Sequence, residues 1–278
     1  MKFSVVTPSF EQAEYLRQTL TSVQQQDYDN IEHIVIDGGS VDGSKEIIAE
    51  FEDHLAYWVS ESDNGQSHAI NKGFQQASGD IYCWINSDDY LVPNAIQSVA
   101  DYFTNHPDCQ VLVGNSRKLY SPSGKWGKES RGLSGNVDEV FLDWKRRWFP
   151  QQATFWRSTL WHETGGLDES LRYTMDIDLW IRFSRLTQIH SIPLVLAVYR
   201  FHESAKCVAH PLEVVDELFE VLFRHYQAQP DKLKQGLSNL LRSMIMDSEA
   251  KSKALESSVS YRLGKIITHP WQLILGSR

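Results

Sequence analysis

Short continuous apolar runs alternate with segments of helical apolar spacing through the first 115 residues of the chain. The apolar runs predict five β-strands, at residues 3–9, 32–37, 56–61, 81–86 and 110–115. Helices are predicted between them, because apolar residues recur there at one-turn spacing. Strands that are apolar on both faces pack between layers of helices. This half therefore predicts an α/β fold with a mainly parallel central sheet flanked by helices.

The pattern becomes less regular after residue 115. Residues 116–150 are rich in glycine, serine and charge, and they predict loops and short strands. A strand and a helix that ends at Gly165 come next. A helix at 175–186 and a strand at 189–202 follow, with Pro193 at an edge or bulge. The residues predicted to face inward from the helix are Ile177, Ile181 and Leu186.

The C-terminal part of the chain, residues 206–278, predicts a helical extension. Its first helix, 212–226, shows one strongly apolar face, formed by Leu212, Val215, Leu218, Phe219, Leu222, Phe223 and Tyr226. The tail 255–275 mixes apolar and basic residues, and residues 250–278 carry five basic side chains against Glu256. A basic amphipathic tail of this kind either lies in a membrane interface or packs on the main domain, and both interpretations remain open.

Charge and cysteine content narrow the function classes. The 278-residue chain has a net charge of −9, which argues against nucleic-acid binding. Its three cysteines, Cys83, Cys109 and Cys207, match no metal motif and predict reduced thiols in a cytoplasmic protein. The N-terminal "MKFSVVTPSF" lacks the apolar core of a signal peptide. No apolar run reaches the roughly 18 residues that span a bilayer.

Three polar clusters follow predicted strands, at residues 7–12, 37–44 and 86–89. Ligands of open α/β sheets bind beyond the carboxyl ends of the strands, so we expect the clusters to form one site. Asp88 and Asp89 are suited to hold Mg²⁺ or Mn²⁺, which would clamp a diphosphate. The alternative interpretation is that the two acids only begin the next helix.

Two later acids supply a candidate general base. Asp176 and Asp178 lie two positions apart on a predicted helix and so face different directions. One of them near a nucleophile would serve as base, whereas in the alternative both are ordinary surface acids. Upstream, Gly166 in "TGGLDES" allows the backbone to approach a ligand. His202, after a strand, is either structural or a further metal ligand.

Together these motifs resemble the family-2 glycosyltransferases of the GT-A fold. The matching segments, in chain order, are "SVVTPSFEQAEYLRQTLTSVQQQ", "VIDGGSVDGS", "SDNGQSHAINKGFQQASGDIYCWINSDD", "GGLDESLRYTMDIDLWIR" and "YRFH". The resemblance implies a GT-A domain at 1–205, with a nucleotide-binding half at 1–115 and an acceptor and catalytic half at 116–205. It also implies a nucleotide-diphosphosugar donor, Mn²⁺ or Mg²⁺ as cofactor, and inversion at the anomeric carbon.

The resemblance further implies roles for individual residues. Asp89 would bind the metal together with His202, and Asp88 would reach the ribose or a metal-bound water. Asp176 would be the general base, with Asp178 as the alternate. The remaining residues implied to bind the donor are Pro8, Ser9, Glu11, Asp37, Asp63, Asn71, Lys72 and Gly166.

The sequence departs from the family pattern at three places. Gly38 stands where many relatives have a second acid after the second strand, which weakens the inference about the nucleotide base. Met175 replaces the glutamate of the Glu-Asp pair. In the Asp-x-Asp motif, Ser87 or Asn86 takes the first acidic position, depending on register.

The resemblance favours a hexosyl- or N-acetylhexosaminyltransferase of bacterial surface polysaccharide synthesis. It would move one sugar, preferably from a UDP-sugar, to a hydroxyl of a glycan or lipid-linked acceptor. The enzyme would be cytoplasmic, with peripheral contact to the inner face of the membrane through 255–275. Two alternatives remain: a sugar-nucleotide-forming nucleotidyltransferase and a non-catalytic nucleotide-sugar-binding protein. A processive synthase is disfavoured, because "KRRW" (145–148) precedes Asp176 and lacks the expected glutamine.

Overall fold

Strands and helices alternate in the computed structural model, which describes residues 1–135 and 149–239. The strands are β1 Phe3–Ser9, β2 Ile31–Asp37, β3 Tyr57–Ser60, β4 Ile81–Trp84, β5 Tyr90–Leu91, β6 Val111–Tyr120, β7 Lys125–Ser130, β8 Thr154–Arg157 and β9 Ile189–Phe201. The helices are α1 Ala13–Gln24, α2 Ser44–Glu50, α3 Gln66–Gln76, α4 Ala95–Asn105, α5 Ser158–Thr164, α6 Met175–Leu186, α7 Lys206–Ala209 and α8 Pro211–Tyr226. The five strands predicted in the first 115 residues are confirmed. The tail 255–275 and the segment 145–148 lie outside the described residues.

The strands of the described residues form one sheet in the order β3-β2-β1-β4-β8-β6-β9-β5, and β7 pairs with β6. β1 is parallel to β2 and β4, and β2 is parallel to β3. β8 runs antiparallel between β4 and β6, whereas β6 and β9 are parallel. The predicted α/β fold is confirmed. Its purely parallel part consists of β1 to β4, and mixed pairing begins at β8, with β5 of the first 115 residues antiparallel to β9.

A long β-hairpin occupies much of the region for which loops and short strands were predicted. β6 continues beyond residue 115 to Tyr120 and turns back into β7. The second half of this hairpin has no buried face, since its side chains are exposed or only partly buried. The sequence therefore lacks the alternation of apolar and polar residues that marks a half-buried strand, so short strands were predicted here without bounds.

Pro193 lies at a bulge in β9, as predicted. The register between β6 and β9 changes between the pairs Val113–Ser191 and Asn115–Val195. Fewer residues of β6 than of β9 lie between these pairs, so the Pro193 segment is displaced from the regular ladder. A bulge suits proline, because the residue has no N–H to donate to a neighbouring strand.

Two predicted helix faces need correction. In α6, Ile181 is buried as expected, but Leu186 is 50% exposed because it is the last residue of the helix. In α8, Leu212 and Phe223 are exposed, whereas Val221 is fully buried. Leu212 lies near the start of α8, before the helix reaches the core. The buried stripe on α8 is therefore narrower and rotated relative to the predicted face.

One large apolar core joins elements from both halves of the chain. Trp84 of β4 stacks on Trp180 of α6 with ring centroids 5.6 Å apart. Leu218 and Leu222 of α8 belong to the same core. In packing, α8 is thus part of the domain, while the division of roles at residue 205 stays a prediction. Among the described residues, no helix has both the length and the apolar character needed to cross a bilayer.

Candidate active site

The three polar clusters meet at one end of the parallel strands. Ser9 pairs with Asp37 in the register of β1 and β2, and Val6 pairs with Trp84 in that of β1 and β4. Because these strands are parallel, the turns that follow them lie side by side. The shared edge expected from the sequence is therefore present.

Asp37 holds together the turn after β2. Its side chain is fully buried, and Oδ1 accepts a hydrogen bond from Ser40 Oγ at 2.6 Å. Its Oδ2 accepts from Ser40 N at 2.9 Å, from Ser60 Oγ at 2.7 Å and from Gly39 N at 3.2 Å. These bonds fit a residue that positions the turn, and the predicted contact with a base or ribose stays a prediction.

Glu11 ties the turn after β1 to the turn after β2. Its backbone N donates to Ser40 Oγ at 2.8 Å, and its Oε1 accepts from Val41 N at 2.8 Å. Pro8 and Ser9, which precede it, are buried. Ser9 Oγ has no hydrogen-bond partner among the described residues, so this buried hydroxyl is free to bind a ligand at the strand ends.

Asp63 lies against Gly38, the position where the family resemblance leads one to expect a second acid. A Cβ atom on residue 38 would lie 2.9 Å from Asp63 Oδ2 and 3.1 Å from Phe10 Cδ2. Asp63 is partly exposed, and its Oδ1 accepts from Gly65 N at 2.7 Å. The Asp63 carboxylate thus occupies the space of the missing side chain and restores an acid beside residue 38.

Asp88 and His202 form a pair at the centre of this edge. His202 Nε2 lies 3.0 Å from Asp88 Oδ2, and His202 Nδ1 lies 2.8 Å from Ser204 Oγ. The pairing of Tyr90 in β5 with Val198 in β9 brings the two segments together. The Asp88 side chain remains 19% exposed. One acid of the pair after β4 therefore keeps access to solvent.

Asp89 is the more enclosed of the two adjacent acids. It is 2% exposed, and its Oδ1 accepts from Arg200 N at 2.8 Å. Its backbone carbonyl accepts from Thr19 Oγ1 at 2.6 Å. Burial, and then the charge of Asp88, raise the pKa of Asp89 well above its usual value. Metal binding by Asp89 stays a prediction, but its enclosure favours Asp88 as the acid that faces a ligand.

Asn71, Lys72 and Gly166 contact other parts of the protein. Asn71 Nδ2 donates to Leu167 O, and Asn71 Oδ1 accepts from Leu167 N, both at 2.9 Å. A Cβ atom on Gly166, whose φ is 77°, would lie 2.9 Å from Asn71 Oδ1. Lys72 forms an ion pair with Glu61. These contacts fix the glycine turn before α6, and direct contact of the three residues with a donor stays a prediction.

Asp176 lies in the first turn of α6. Its Oδ1 accepts a hydrogen bond from Ile177 N at 2.8 Å, and the side chain retains partial exposure. Burial among protein atoms raises the pKa of Asp176 to about 6. Such a carboxylate is ionised at neutral pH yet binds a proton more strongly than an ordinary aspartate. Both properties suit a general base.

Glu217 of α8 holds the N-terminus of α6. Its Oε1 accepts from the backbone N of Tyr173 and of Thr174, each at 2.7 Å, and its Oε2 accepts from Arg172 N at 2.7 Å. A carboxylate here satisfies free N–H groups and interacts favourably with the helix dipole. The sequence did not reveal Glu217, because its partners lie 43 to 45 residues away along the chain.

Asp178 has both carboxylate oxygens occupied. His225 Nε2 lies 2.7 Å from Oδ1, and Arg182 Nε donates to Oδ2 at 2.8 Å. Burial opposes ionisation of Asp178, but the hydrogen bond with His225 and the charge of Arg182 hold its pKa below the usual value. The side chain is 2% exposed. These contacts fit a structural role, while its role as alternate base stays a prediction.

A chain of hydrogen bonds links Lys206 to the turn after β4. Lys206 Nζ donates to Gln66 Oε1 at 3.2 Å, and Gln66 Nε2 donates to Asn86 Oδ1 at 2.8 Å. Asn86 Nδ2 in turn donates to Gln151 Oε1 at 3.3 Å. No carboxylate of the described residues forms an ion pair with Lys206, and burial lowers the pKa of this lysine. Its ammonium group is therefore available to an anionic ligand.

The short helix α7 reaches the turn after β4 through Gln66 and contacts the segment that precedes α6. Its Lys206 binds Gln66, and the Lys206 ammonium lies 5.4 Å from the ring centroid of Tyr173, three residues before Asp176. The sequence analysis missed Lys206 in this helix, because an isolated lysine carries no signature. Its position shortly after His202 was the available signal.

The Asp88–His202 pair fits part of the ligand set of a divalent cation. Carboxylate oxygen suits Mg²⁺ or Mn²⁺, and a neutral imidazole binds divalent metals. The hydrogen bond with Ser204 orients the ring and leaves Nε2 for a metal. Within residues 1–135 and 149–239, no group of three or more His, Cys, Asp or Glu side chains could hold a metal ion. Phosphate oxygens and waters would have to complete the shell, as is common for Mg²⁺.

Comparison with known sequences identifies relatives over most of the chain. Residues 4–167 match the family model described as glycosyl transferase family 2. An uncharacterized glycosyltransferase from Rickettsia typhi is 28% identical over 211 residues, which are 72% of this chain and 64% of that protein. An uncharacterized glycosyltransferase from Mycobacterium tuberculosis is 31% identical over 208 residues, which are 70% of this chain and 74% of that protein. The chain thus spans a little under two thirds of the Rickettsia typhi relative.

Comparison with solved structures supports the GT-A fold. Staphylococcus aureus TarS, residues 1–349 in complex with UDP-GlcNAc, aligns with a TM-score of 0.65 and 16% identity over 94% of this chain and 78% of that one. The mannosyltransferase PcManGT from Pyrobaculum calidifontis, in complex with GDP-Man and Mn²⁺, aligns with a TM-score of 0.61 and 17% identity. That alignment covers 94% of this chain and 82% of that one.

Proposed function

The chain belongs to glycosyl transferase family 2, and on that premise we propose that it is an inverting, metal-dependent glycosyltransferase. It transfers one sugar from a nucleotide-diphosphosugar to a hydroxyl group of an acceptor. One observation carries this proposal: Lys206 reaches the turn after β4 through Gln66 and Asn86, and its ammonium lies 5.4 Å from the ring centroid of Tyr173, just before α6. The turn with the candidate metal-binding acid and the helix start with the candidate base therefore both lie near Lys206, as a displacement at the anomeric carbon requires.

The metal is assigned to Asp88 and His202 rather than to Asp89. Support comes from the 3.0 Å distance between Asp88 Oδ2 and His202 Nε2 and from the enclosure of Asp89. When bound there, Mn²⁺ or Mg²⁺ would offset the charge that develops on the departing diphosphate. Arg200 fixes this turn, since its N donates to Asp89 Oδ1 and its Nε donates to the carbonyl of Asp88.

Asp176 accepts the proton of the acceptor hydroxyl. As the hydroxyl oxygen forms its bond to the anomeric carbon, the bond between that carbon and the diphosphate oxygen breaks. A single displacement of this kind inverts the configuration at the anomeric carbon. Glu217 holds the N-terminus of α6, so it orients the helix turn that carries Asp176.

Lys206 joins the donor site as a second cation. Its ammonium group binds Gln66, which binds Asn86 in the turn that carries Asp88. A half-buried lysine without an ion-pair partner interacts strongly with a diphosphate, because the surroundings screen the charges less than water does. Lys206 therefore binds the leaving diphosphate next to the metal.

The nucleotide occupies the edge formed by the turns after β1 and β2. Asp63 takes the place of the second acid that Gly38 does not provide, and Ser9 supplies a free hydroxyl. UDP-sugars are the preferred donors. TarS with UDP-GlcNAc and PcManGT with GDP-Man share the fold, so both nucleotides belong in the test. The acceptor is a glycan or lipid-linked oligosaccharide of surface polysaccharide synthesis at the inner face of the membrane.

The proposal is tested by supplying UDP-, GDP- and dTDP-sugars with Mn²⁺ or Mg²⁺ and measuring release of nucleoside diphosphate. We expect release from one donor class, and its loss when EDTA removes the metal. Asp176→Asn should abolish transfer and keep donor binding. The matched control is Asp216→Asn, which changes an exposed acid on α8 and should leave transfer intact. The proposal is wrong if no donor is bound or cleaved with either metal, or if Asp176→Asn transfers at the wild-type rate.

A further inference from the structure

The outer half of the β6–β7 hairpin is a strongly basic exposed surface in this acidic chain. Residues 115–131 contain five cations and one acid, a net charge of +4 in a chain whose net charge is −9. The cations are Arg117, Lys118, Lys125, Lys128 and Arg131. Among the described residues, none of the five has an ion-pair partner. Glu129, the local acid, instead accepts a hydrogen bond from Asn115.

Aromatic side chains lie between these cations. Trp126 is 44% exposed, and the Arg117 guanidinium lies 4.4 Å from its ring centroid. Tyr120 is 36% exposed. The Lys118 ammonium lies 4.5 Å from the ring of Phe201 and 5.5 Å from that of Tyr120. Cations therefore already cover faces of these rings, which makes the rings poor platforms for stacking a sugar.

Gly127 allows this arrangement. A Cβ atom on residue 127 would lie 2.9 Å from the Tyr120 ring and 3.1 Å from Lys118 Cβ. The missing side chain on β7 lets Tyr120 and Lys118 of β6 lie across the ribbon. Glycine is unfavourable within a strand, so its presence here has a packing reason.

The hairpin also lies beside the proposed donor site. Tyr120, the last residue of β6, pairs with Phe201 of β9. Phe201 directly precedes His202, which pairs with Asp88. A surface that contacts the hairpin would therefore lie close to His202 and Asp88.

We propose that the outer β6–β7 hairpin, residues 117–131, docks on an anionic lipid surface. Lys and Arg side chains are attracted to anionic headgroups, and Trp and Tyr favour the interface between headgroups and acyl chains. The hairpin combines both features on an exposed ribbon. Docking would turn the donor site towards the bilayer, where a lipid-linked acceptor would be found. The partner follows from the proposed function, but the docking can be measured without any sugar nucleotide.

A simpler explanation is that the lysines only prevent edge-to-edge pairing of β7 with another chain. Glutamate would serve that purpose equally well. Charge reversal therefore separates the two explanations, because it keeps an edge charged while it repels an anionic bilayer.

The test is co-sedimentation of the full chain with vesicles of phosphatidylcholine alone and of phosphatidylcholine with phosphatidylglycerol. We expect binding to the anionic vesicles only. Lys125→Glu with Lys128→Glu should weaken that binding by about tenfold or more, since each basic residue near the surface contributes about 1 kcal/mol. The matched control, Lys45→Glu with Lys234→Glu, changes the net charge equally at two exposed lysines elsewhere and should bind as the wild type does.

Two further arms keep the result specific. Trp126→Ala should also weaken binding to anionic vesicles. In chains that end after Ala254, the hairpin variant should still bind these vesicles more weakly than its control does. The proposal is overturned if the wild type binds no vesicles or if the hairpin and control variants lose binding equally. Binding to soluble dextran sulfate is measured in parallel. The proposal is also overturned if the hairpin variant loses binding to dextran sulfate but keeps binding to the vesicles, which would indicate a site for an anionic glycan.

Discussion

Two aspartate–histidine pairs in this domain have similar geometry and different surroundings. His202 Nε2 lies 3.0 Å from Asp88 Oδ2, and His225 Nε2 lies 2.7 Å from Asp178 Oδ1. The Asp88 side chain is 19% exposed, whereas that of Asp178 is 3% exposed. Residue type and spacing alone would therefore give the two pairs the same role.

The two pairs differ in whether the carboxylate can still bind a further ligand. Asp178 has its second oxygen bound to Arg182, with Arg224 4.0 Å from the first, so positive charge surrounds the acid. Asp88 instead stands next to a second acid, Asp89, and keeps an accessible carboxylate. The charge of Asp178 is therefore balanced by cations of the protein, whereas Asp88 can bind an external cation. We therefore propose that the Asp178 pair holds the fold and that the Asp88 pair binds a ligand.

Between the two pairs, the largest difference in transfer should come from Asp88→Asn, which removes a proposed metal ligand and keeps the size of the side chain. We expect transfer to fall by about 10²–10³-fold, because several kcal/mol of charge stabilisation in the transition state are lost. Asp178→Asn should retain most of its kcat in the folded fraction. Steady-state rates, measured with a saturating donor well below the melting temperature, make the comparison.

If Asp178→Asn instead lost transfer as completely as Asp88→Asn while it stayed folded, the roles of the two pairs would be reversed. His202→Ala and His225→Ala provide matched partners for the same test. They should repeat the difference between the two aspartates.

The free energy of unfolding should respond in the opposite order, with the larger loss at Asp178 and the smaller loss at Asp88. Asp178→Ala leaves Arg182 and His225 without their buried partner, and we expect it to lower the free energy of unfolding by about 3 kcal/mol. Asp88→Ala should change stability by less than about 1 kcal/mol, as for other partly exposed pairs. Urea denaturation of both variants measures the difference. Equal losses would show that the Asp88 pair also holds the fold.

The third effect is a pH dependence that comes from Asp176. Its pKa is raised to about 6, so the group stabilises the fold only while it is protonated, and that stability is lost as pH rises through about 6. Asp176→Asn should therefore be more stable than the wild type at neutral pH, by about 1–3 kcal/mol. Its advantage should grow as pH rises from the ordinary aspartate value of 3.8 to about 6, and it should be constant above that.

The contribution of Asp178 to stability depends on pH in the opposite direction, because the pKa of Asp178 is held below its usual value. Its contribution to stability should be present at neutral pH and should be lost only in acid. Melting temperatures of wild type, Asp176→Asn and Asp178→Asn between about pH 3 and about pH 8 separate the two groups. An Asp176→Asn variant with no gain at neutral pH would contradict the raised pKa.

The smallest effect concerns Glu217, which links α8 to the start of α6. Glu217→Gln keeps one acceptor oxygen and loses the charge, and we expect a loss of about 1 kcal/mol in stability, as for a lost helix cap. The transfer rate should fall more than donor affinity does, because Asp176 loses its alignment. Comparison of kcat with KM for the donor tests this, with Glu220→Gln on an exposed face of α8 as control.

The sequence predicted the first 115 residues well, because fully buried strands and amphipathic helices leave clear apolar patterns. For the β6–β7 hairpin it predicted only loops and short strands without bounds, since a ribbon such as Lys125–Ser130 without a buried face has no such pattern. The bulge at Pro193 was predictable from the missing N–H of proline. The inward face of α8 was predictable only in part, because packing rather than periodicity decides which turn reaches the core.

The acids of the candidate site were also identified from sequence, but their division of labour was not. Neighbouring residues such as Asp88 and Asp89 differ in exposure because β9 covers one of them, and no local pattern reports such a contact. Long-range partners such as Glu217 and Lys206 were missed for the same reason. Gly38 was noted as a missing acid, whereas its replacement by Asp63 depends on packing between two separate turns.

We propose above all that Asp88 and His202 bind a divalent cation together with the donor diphosphate. Electron paramagnetic resonance of Mn²⁺ tests it directly, because the signal of free Mn²⁺ decreases when the ion binds. With UDP or GDP present, the wild type and Asp178→Asn should bind Mn²⁺, and Asp88→Asn and His202→Ala should lose most of that binding. Full Mn²⁺ binding by Asp88→Asn, or its loss in Asp178→Asn alone, would contradict the assignment.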